Sequence, residues 1–110
     1  MNLEIGEYVR TEIGTIGKVV RINEIYFTIE NNRGEIDVLY EGNQKHSKNI
    51  IDLIEVGDYV NGEKIQFINR GNLITEGGYD LLKKYNEITT IVTKQQFSSM
   101  EYRLWVQMKK

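Results

Sequence analysis

Runs of β-branched and aromatic residues, punctuated by asparagine and glycine, dominate the chain. TIGKVVRI (15–22), IYFTIE (25–30) and EIDVLY (35–40) follow one another in the first half, and each predicts a strand. The second half offers EKIQFI (63–68), then NLITE (72–76) after the turn-forming Asn69-Arg70-Gly71, and later EITTIVT (87–93). Two short phrases, Ile5-Gly6-Glu7-Tyr8-Val9 and Val56-Gly57-Asp58-Tyr59-Val60, alternate polar and apolar positions as half-buried strands do. Thr93 followed by Gln96 has the spacing of a capping box, so a helical turn over residues 94–99 is expected between strands 88–93 and 101–107. SKNI (47–50) is its shorter counterpart in the first half.

The two phrases raise the question of an internal repeat, which would decide the architecture. From Ile5 to Val56 the offset is 51, and the same offset sets His46-Ser47 over Phe97-Ser98, Ile51 over Tyr102 and Leu53 over Leu104. In between, Lys18-Val19 matches Lys64-Ile65 and Glu30 matches Glu76, both at an offset of 46. The second copy is therefore expected to lose five residues in an early loop and to regain them later, within GGYDLLKKYNE (77–87).

Five short strands with a helical turn before the last is the order of a small SH3-like barrel. GEYVRTEIGTIGKVVRI resembles the opening of KOW-type small barrels, where a Gly-Asp-x-Val strand leads through a glycine-bearing loop into Gly-x-Val. NIIDLIEVGDYVNG together with ITTIVTKQQFSSMEYRL is similar to short accessory proteins from phages and prophages of Gram-positive bacteria, residues 77–86 departing most. The fold expected is all-β: two tandem SH3-like small barrels related by duplication, residues 1–54 and 55–110, packed as one compact unit without a linker.

Composition narrows the function classes. Of 110 residues, 40% are hydrophobic, enough to build a core. Fourteen basic against 16 acidic residues leave a net charge of −2, unlike domains whose affinity comes from covering phosphates. The chain has no cysteine, which removes disulfides, thiolate metal sites and cysteine nucleophiles. It shows neither a secretory signal nor an apolar run near the ~20 residues of a membrane helix, so a cytoplasmic location is expected.

No set of residues assembles into a reactive centre. His46 is the only histidine and no G-x-S-x-G elbow accompanies it, so it reads as a loop residue. Glu35 and Asp37 share a strand face without a third oxygen ligand close in sequence, and no phosphate-binding glycine motif occurs. Neither a catalytic function, a metal nor a cofactor is expected. Two binding readings remain. Arg10, Lys18 and Arg21 with Tyr26 (and Tyr8) offer basic and aromatic groups for nucleic acid, though Glu7, Glu12 and Glu24 are interleaved with them. Alternatively, 77–87 presents a partner surface of Tyr79, Leu81, Leu82, Lys83, Lys84 and Tyr85, with Leu81, Leu82 and Tyr85 on one side of a short helix. Trp105 is read as a core or interface anchor.

The phage resemblance implies a non-enzymatic protein that binds and blocks a host macromolecule, with an anti-phage defence protein such as a CRISPR nuclease as the target class. The competing expectation is a KOW-like nucleic-acid or ribonucleoprotein-binding module.

Overall fold

The computed structural model describes residues 2–40 and 44–98, and it divides the chain into two compact units, Met1–Leu53 and Ile54–Lys110. Each unit is built on an antiparallel sheet. Unit 1 contains β1 (Tyr8–Arg10), β2 (Ile16–Ile22), β3 (Tyr26–Asn31), β4 (Gly34–Leu39) and β5 (Lys45–Ser47), in the order β4-β3-β2-β1-β5, followed by a 3-10 turn at Ile50–Leu53. Unit 2 contains β6 (Tyr59–Val60), β7 (Glu63–Asn69), β8 (Asn72–Thr75), a one-turn helix α1 (Leu81–Lys84) and β9 (Ile91–Val92), in the order β8-β7-β6-β9. Residues 94–98 are helical. The fold is mostly β, as the patterning predicts. Among the described residues the sheets stay open, contrary to the closed barrels expected: the edge strands of each sheet pair on one side only.

The two glycine phrases form the same turn. Glu7 N–H donates to Glu4 O (3.2 Å) and Asp58 N–H to Glu55 O (3.1 Å), with Gly6 and Gly57 in third position at φ +95 and +97. That is type II geometry, which only glycine enters without strain. The acid then clasps its own turn. Glu4 N–H donates to Glu7 Oε1 (3.0 Å) and Glu55 N–H to Asp58 Oδ2 (2.7 Å). The glycine N–H reaches Val19 O in unit 1 and Ile65 O in unit 2, both at 2.9 Å. Beyond the turn, Val9 and Val60 are fully buried.

The parallel extends along the sheets. Tyr8 pairs with Lys18 as Tyr59 pairs with Lys64, and a register shift falls between Val19 and Arg21 as between Ile65 and Phe67. The early five-residue loss is present: residues 10–16 separate Val9 from Gly17, whereas only Asn61 and Gly62 separate Val60 from Glu63. The later regain is not. Val9 pairs with His46 and Val60 with Ile91, an offset of 45, so His46 corresponds to Ile91 and not to Phe97. Phe97 lies instead in the helical stretch and stacks on Tyr59 (centroids 4.5 Å apart). The matches of Ile51 with Tyr102 and Leu53 with Leu104, the strand at 101–107 and Trp105 lie outside the described residues.

Other local expectations resolve one by one. The capping box forms reciprocally, Thr93 N–H to Gln96 Oε1 (3.0 Å) and Gln96 N–H to Thr93 Oγ1 (3.3 Å). The strand expected over 87–93 shrinks to Ile91–Val92 because Asn61 captures the preceding backbone. Its Oδ1 accepts from Thr89 N–H (2.7 Å) and its own N–H donates to Thr90 O (2.9 Å). The helical turn expected at 47–50 lies later, at Ile50–Leu53, where the Asn49 side chain accepts from Ile51 N–H (3.2 Å).

Unit 1 is centred on Val9, Val19, Phe27 and Ile29, with Leu3, Val38 and Tyr40 packed against them. Unit 2 buries Val60, Ile65, Leu73 and Leu81. Thr75 pairs with Ile65 as Ile29 pairs with Val19, so a threonine stands in the row that isoleucine fills in unit 1. It is 1% exposed and its hydroxyl has no hydrogen-bond partner among the described residues. An unsatisfied buried hydroxyl costs about 1–3 kcal/mol.

Two stability outcomes follow from these contacts. Asp58→Ala strands two backbone N–H groups, those of Glu55 and Lys94 (3.0 Å to Oδ1), and is expected to cost about 2–4 kcal/mol. Asp58→Asn keeps one acceptor oxygen and should cost distinctly less; equal losses in urea titrations would disprove the clasp. Thr75→Val is expected to stabilise unit 2 by about 1 kcal/mol, read by the same titration.

Candidate binding surface

Candidate residues from the sequence fall in several places, and most are occupied with internal contacts. In the segment 77–87, Asp80 caps α1 by accepting from Leu82 N–H (3.0 Å), and its backbone forms an isolated bridge to Ile74. Leu81 is fully buried, which corrects its placement on a partner surface; Leu82 is half-buried. Lys84 gathers the two tyrosines. Its ammonium lies 4.8 Å from the Tyr79 ring centroid and 5.4 Å from that of Tyr85, donates to Tyr79 Oη (3.1 Å), and stands 3.8 Å from Glu63 Oε2. Lys83 is exposed, and among the described residues its side chain makes no contact of this kind. The segment thus closes on its own unit, with Leu81 as the anchor beneath.

The basic set is likewise dispersed. Arg10 is 2% exposed and donates from Nη1 to Leu53 O (3.0 Å), so it is not accessible to a phosphate. Lys18 lies over the Tyr8 ring, 5.7 Å from its centroid. Arg21 pairs with Glu35, whose carboxylate holds the guanidinium still more firmly protonated. Tyr26 is exposed and pairs with Leu39 on β4. Across the strands, Lys18, Glu30 and Glu35 form one row, so carboxylates neighbour each cation.

His46 sits on β5, not in a loop, and its Nδ1 lies 2.6 Å from Glu7 Oε2. This hydrogen bond is the first cause that lowers the Glu7 carboxyl below its ordinary 4.5, ahead of the opposing effect of burial. A histidine oriented by a carboxylate is half of a hydrolytic device, but the neighbouring Ser47 hydroxyl donates to Asp52 Oδ2 (2.6 Å). Glu35 is held by Arg21, and Asp37 accepts from Thr28 Oγ1 (2.7 Å). Among the described residues no cluster of three metal-ligating side chains occurs, and no helix is long and apolar enough to cross a membrane.

In unit 2 a recess of about 360 Å³ is lined by Gly57, Tyr59, Lys64, Lys94, Phe97 and Ser98. Lys94 is paired with Glu55 (2.9 Å) and Lys64 with Glu76 (3.6 Å), which offsets the positive charge an anion would seek.

Ile5, Ile13, Val56 and Phe67 are exposed apart from one another in sequence, whereas at the β4 side of unit 1 exposed apolar residues gather. Ile25 is 72% exposed in the turn that joins β2 to β3, closed by Asn23 N–H to Tyr26 O (2.8 Å). Ile22 and Tyr26 flank it, and Leu39, 60% exposed, lies across from Tyr26. Ile36 on β4 is 40% exposed. Exposed Glu24, Glu30, Glu35 and Asp37 outnumber Lys18, Arg21 and Arg33 on this side of the unit. The sequence carried one signal for it: EIDVLY places apolar residues on both faces of its strand, more than one covered face uses.

No family model matches the chain, and neither a curated protein nor a solved structure matches it at a significant level.

The lowered Glu7 carboxyl carries a pH dependence of definite sign. A carboxylate whose folded value lies below its unfolded one adds stability above about pH 4.5, which is lost as pH falls through the folded value. Glu7→Gln should therefore lower the melting temperature of unit 1 at pH 7, and the gap to the wild type should narrow below pH 4.5. Amide exchange at Val9, Val19 and Ile29 reports unit 1 selectively; a gap independent of pH would refute the assignment.

Proposed function

We propose that the chain is a non-enzymatic binding protein of phage or prophage origin that acts in the host cytoplasm by docking on, and blocking, a host macromolecule. The observation that carries this reading is the exposed group Ile25, Tyr26 and Leu39 beside the acidic outer positions of β3 and β4. Apolar side chains rimmed by charge are the usual make-up of a protein interface. The acidic rim fits a basic partner surface, and RNA-guided nucleases hold their heteroduplex in a positively charged channel. Together with the sequence resemblance, this favours a CRISPR nuclease as the target class. The same reading takes the two units as tandem SH3-like barrels of a duplicated chain, supported by the recurrent acid-clasped turn and the matching register shifts.

The test is target cleavage by guide-loaded CRISPR nucleases of Gram-positive bacteria, with and without the protein. Cleavage should be suppressed, and Ile25→Asp with Leu39→Asp should weaken suppression about tenfold or more, as expected for loss of interface anchors. Undiminished cleavage, or tight salt-sensitive binding of a plain oligonucleotide by the isolated protein, would overturn the proposal.

A further inference from the structure

β4 is the longest open edge in the described chain. All six of its residues pair with β3 in unbroken register from Tyr26↔Leu39 to Asn31↔Gly34, and among the described residues no strand pairs with its other side. Five of the six are exposed. The other edge strands are shorter: β5 has three residues, β9 two, and β8 four, with Asp80 bridged to Ile74. Proteins ordinarily blunt such an edge with charged side chains, lysine above all, with proline or with a bulge, and here the only charges are the acids Glu35 and Asp37, which repel a like-charged strand and leave a basic one free to pair. Gly34–Leu39 contains neither lysine nor proline, and its pairing has no bulge.

The two faces of this edge specify different neighbours. On one face the row Val19, Ile29, Ile36 runs outward from 1% and 0% exposure to 40%, so the apolar layer continues to the rim without cover. On the other, Glu35 lies directly across from Glu30, and Asp37 follows two residues on. Arg21 pairs with Glu35, Lys18 lies across from Glu30, and Asp37 accepts from the neutral Thr28 hydroxyl, so three carboxylates face two cations on this side. A second copy of the chain does not fit. Fully overlapped antiparallel pairing of β4 with itself sets Glu35 against Val38 and Asp37 against Ile36, and a slip of one residue sets Glu35 against Asp37 or Asp37 against its own copy.

We infer that β4 accepts an added strand from a protein partner, an extended segment in which basic and aliphatic residues alternate. The backbone of β4 supplies the ladder. Lysine or arginine side chains lie across from Glu35 and Asp37, and aliphatic side chains extend the row of Ile36 and Val38. This mode rests on the reading of this face as a docking surface, and adds to it how the partner is held.

The probe is a capped peptide of alternating lysine and valine, compared with one of the same composition whose lysines and valines are segregated into blocks. In NMR titrations the alternating peptide is expected to shift the amides of residues 34–39 and slow their exchange, and to bind about tenfold more tightly than the block peptide. Glu35→Lys with Asp37→Lys should weaken binding by a similar factor while the Val9, Val19 and Ile29 amides keep their positions. N-methylating alternate peptide amides, which leaves charge intact and removes the ladder, should abolish binding without altering the protein at all. Equal affinity for both peptides, insensitivity to N-methylation, or shifts that map away from β4 would overturn the inference. A separate outcome, nuclease suppression lost in the Ile25 and Leu39 variants with β4 unresponsive to peptide, leaves the docking surface standing and removes strand addition alone.

Discussion

A carboxylate that accepts hydrogen bonds from its own turn is the constraint on which each unit depends. Glu7 and Asp58 are 7% and 0% exposed, yet neither lacks partners. One oxygen closes the turn through Glu4 or Glu55, and the other reaches across the unit, to His46 in the first and to Lys94 N–H in the second. An ionisable group so buried is tolerated only when its oxygens are answered. Once they are, the chain direction entering β1 or β6 is fixed, and with it the inward placement of Val9 or Val60. The repeated phrase is thus a structural device: glycine for the left-handed turn, acid for the clasp, tyrosine for the outer face and valine for the core.

The units diverge where this device leaves them free. In unit 1 the strand after β3 is a full edge strand, and in unit 2 its place beside β8 is taken by a single bridge at Asp80 and by α1. That substitution moves apolar surface inward. Leu81 enters the core of unit 2 and Lys84 draws Tyr79 and Tyr85 together, while Ile36 and Leu39 of unit 1 stay exposed. Exposed apolar surface is unfavourable in water, and the exposure of Ile36 and Leu39 is what the proposed docking reading draws on.

Much of the fold was legible because its determinants are local. The capping box needs only Thr93 and Gln96, and β2, β3, β4, β7 and β8 follow their β-branched runs. What failed was governed by distant contacts. Arg10 was read as a surface cation because its acceptor, Leu53 O, lies 43 residues away. The strand at 87–93 was shortened by Asn61, a side chain on another hairpin. The open side of β4 was hidden for a related reason: a closed barrel, the fold expected, has no free edge. An Asn-Gly pair flanked by apolar residues is among the strongest hairpin signals, and Asn61-Gly62 could have been read from the sequence.

The unequal first loops have a kinetic consequence. Closing the five residues between Arg10 and Ile16 costs about 0.8 kcal/mol more chain entropy than closing the two between Val60 and Glu63, by the logarithmic dependence on loop length. Asn61 and Gly62 also favour the left-handed backbone, φ 51 and 80, before any tertiary contact exists. The β6–β7 hairpin is therefore expected to close before the longer-range pairings of its half of the chain. Unit 1 instead has to close the longer Thr11–Thr15 loop, which gains its own fastening only once formed, through Thr11 N–H to Thr15 O, Gly14 N–H to Thr11 O and Thr15 N–H to Thr11 Oγ1. A longer β6–β7 turn would forfeit the head start that the shorter closure gives.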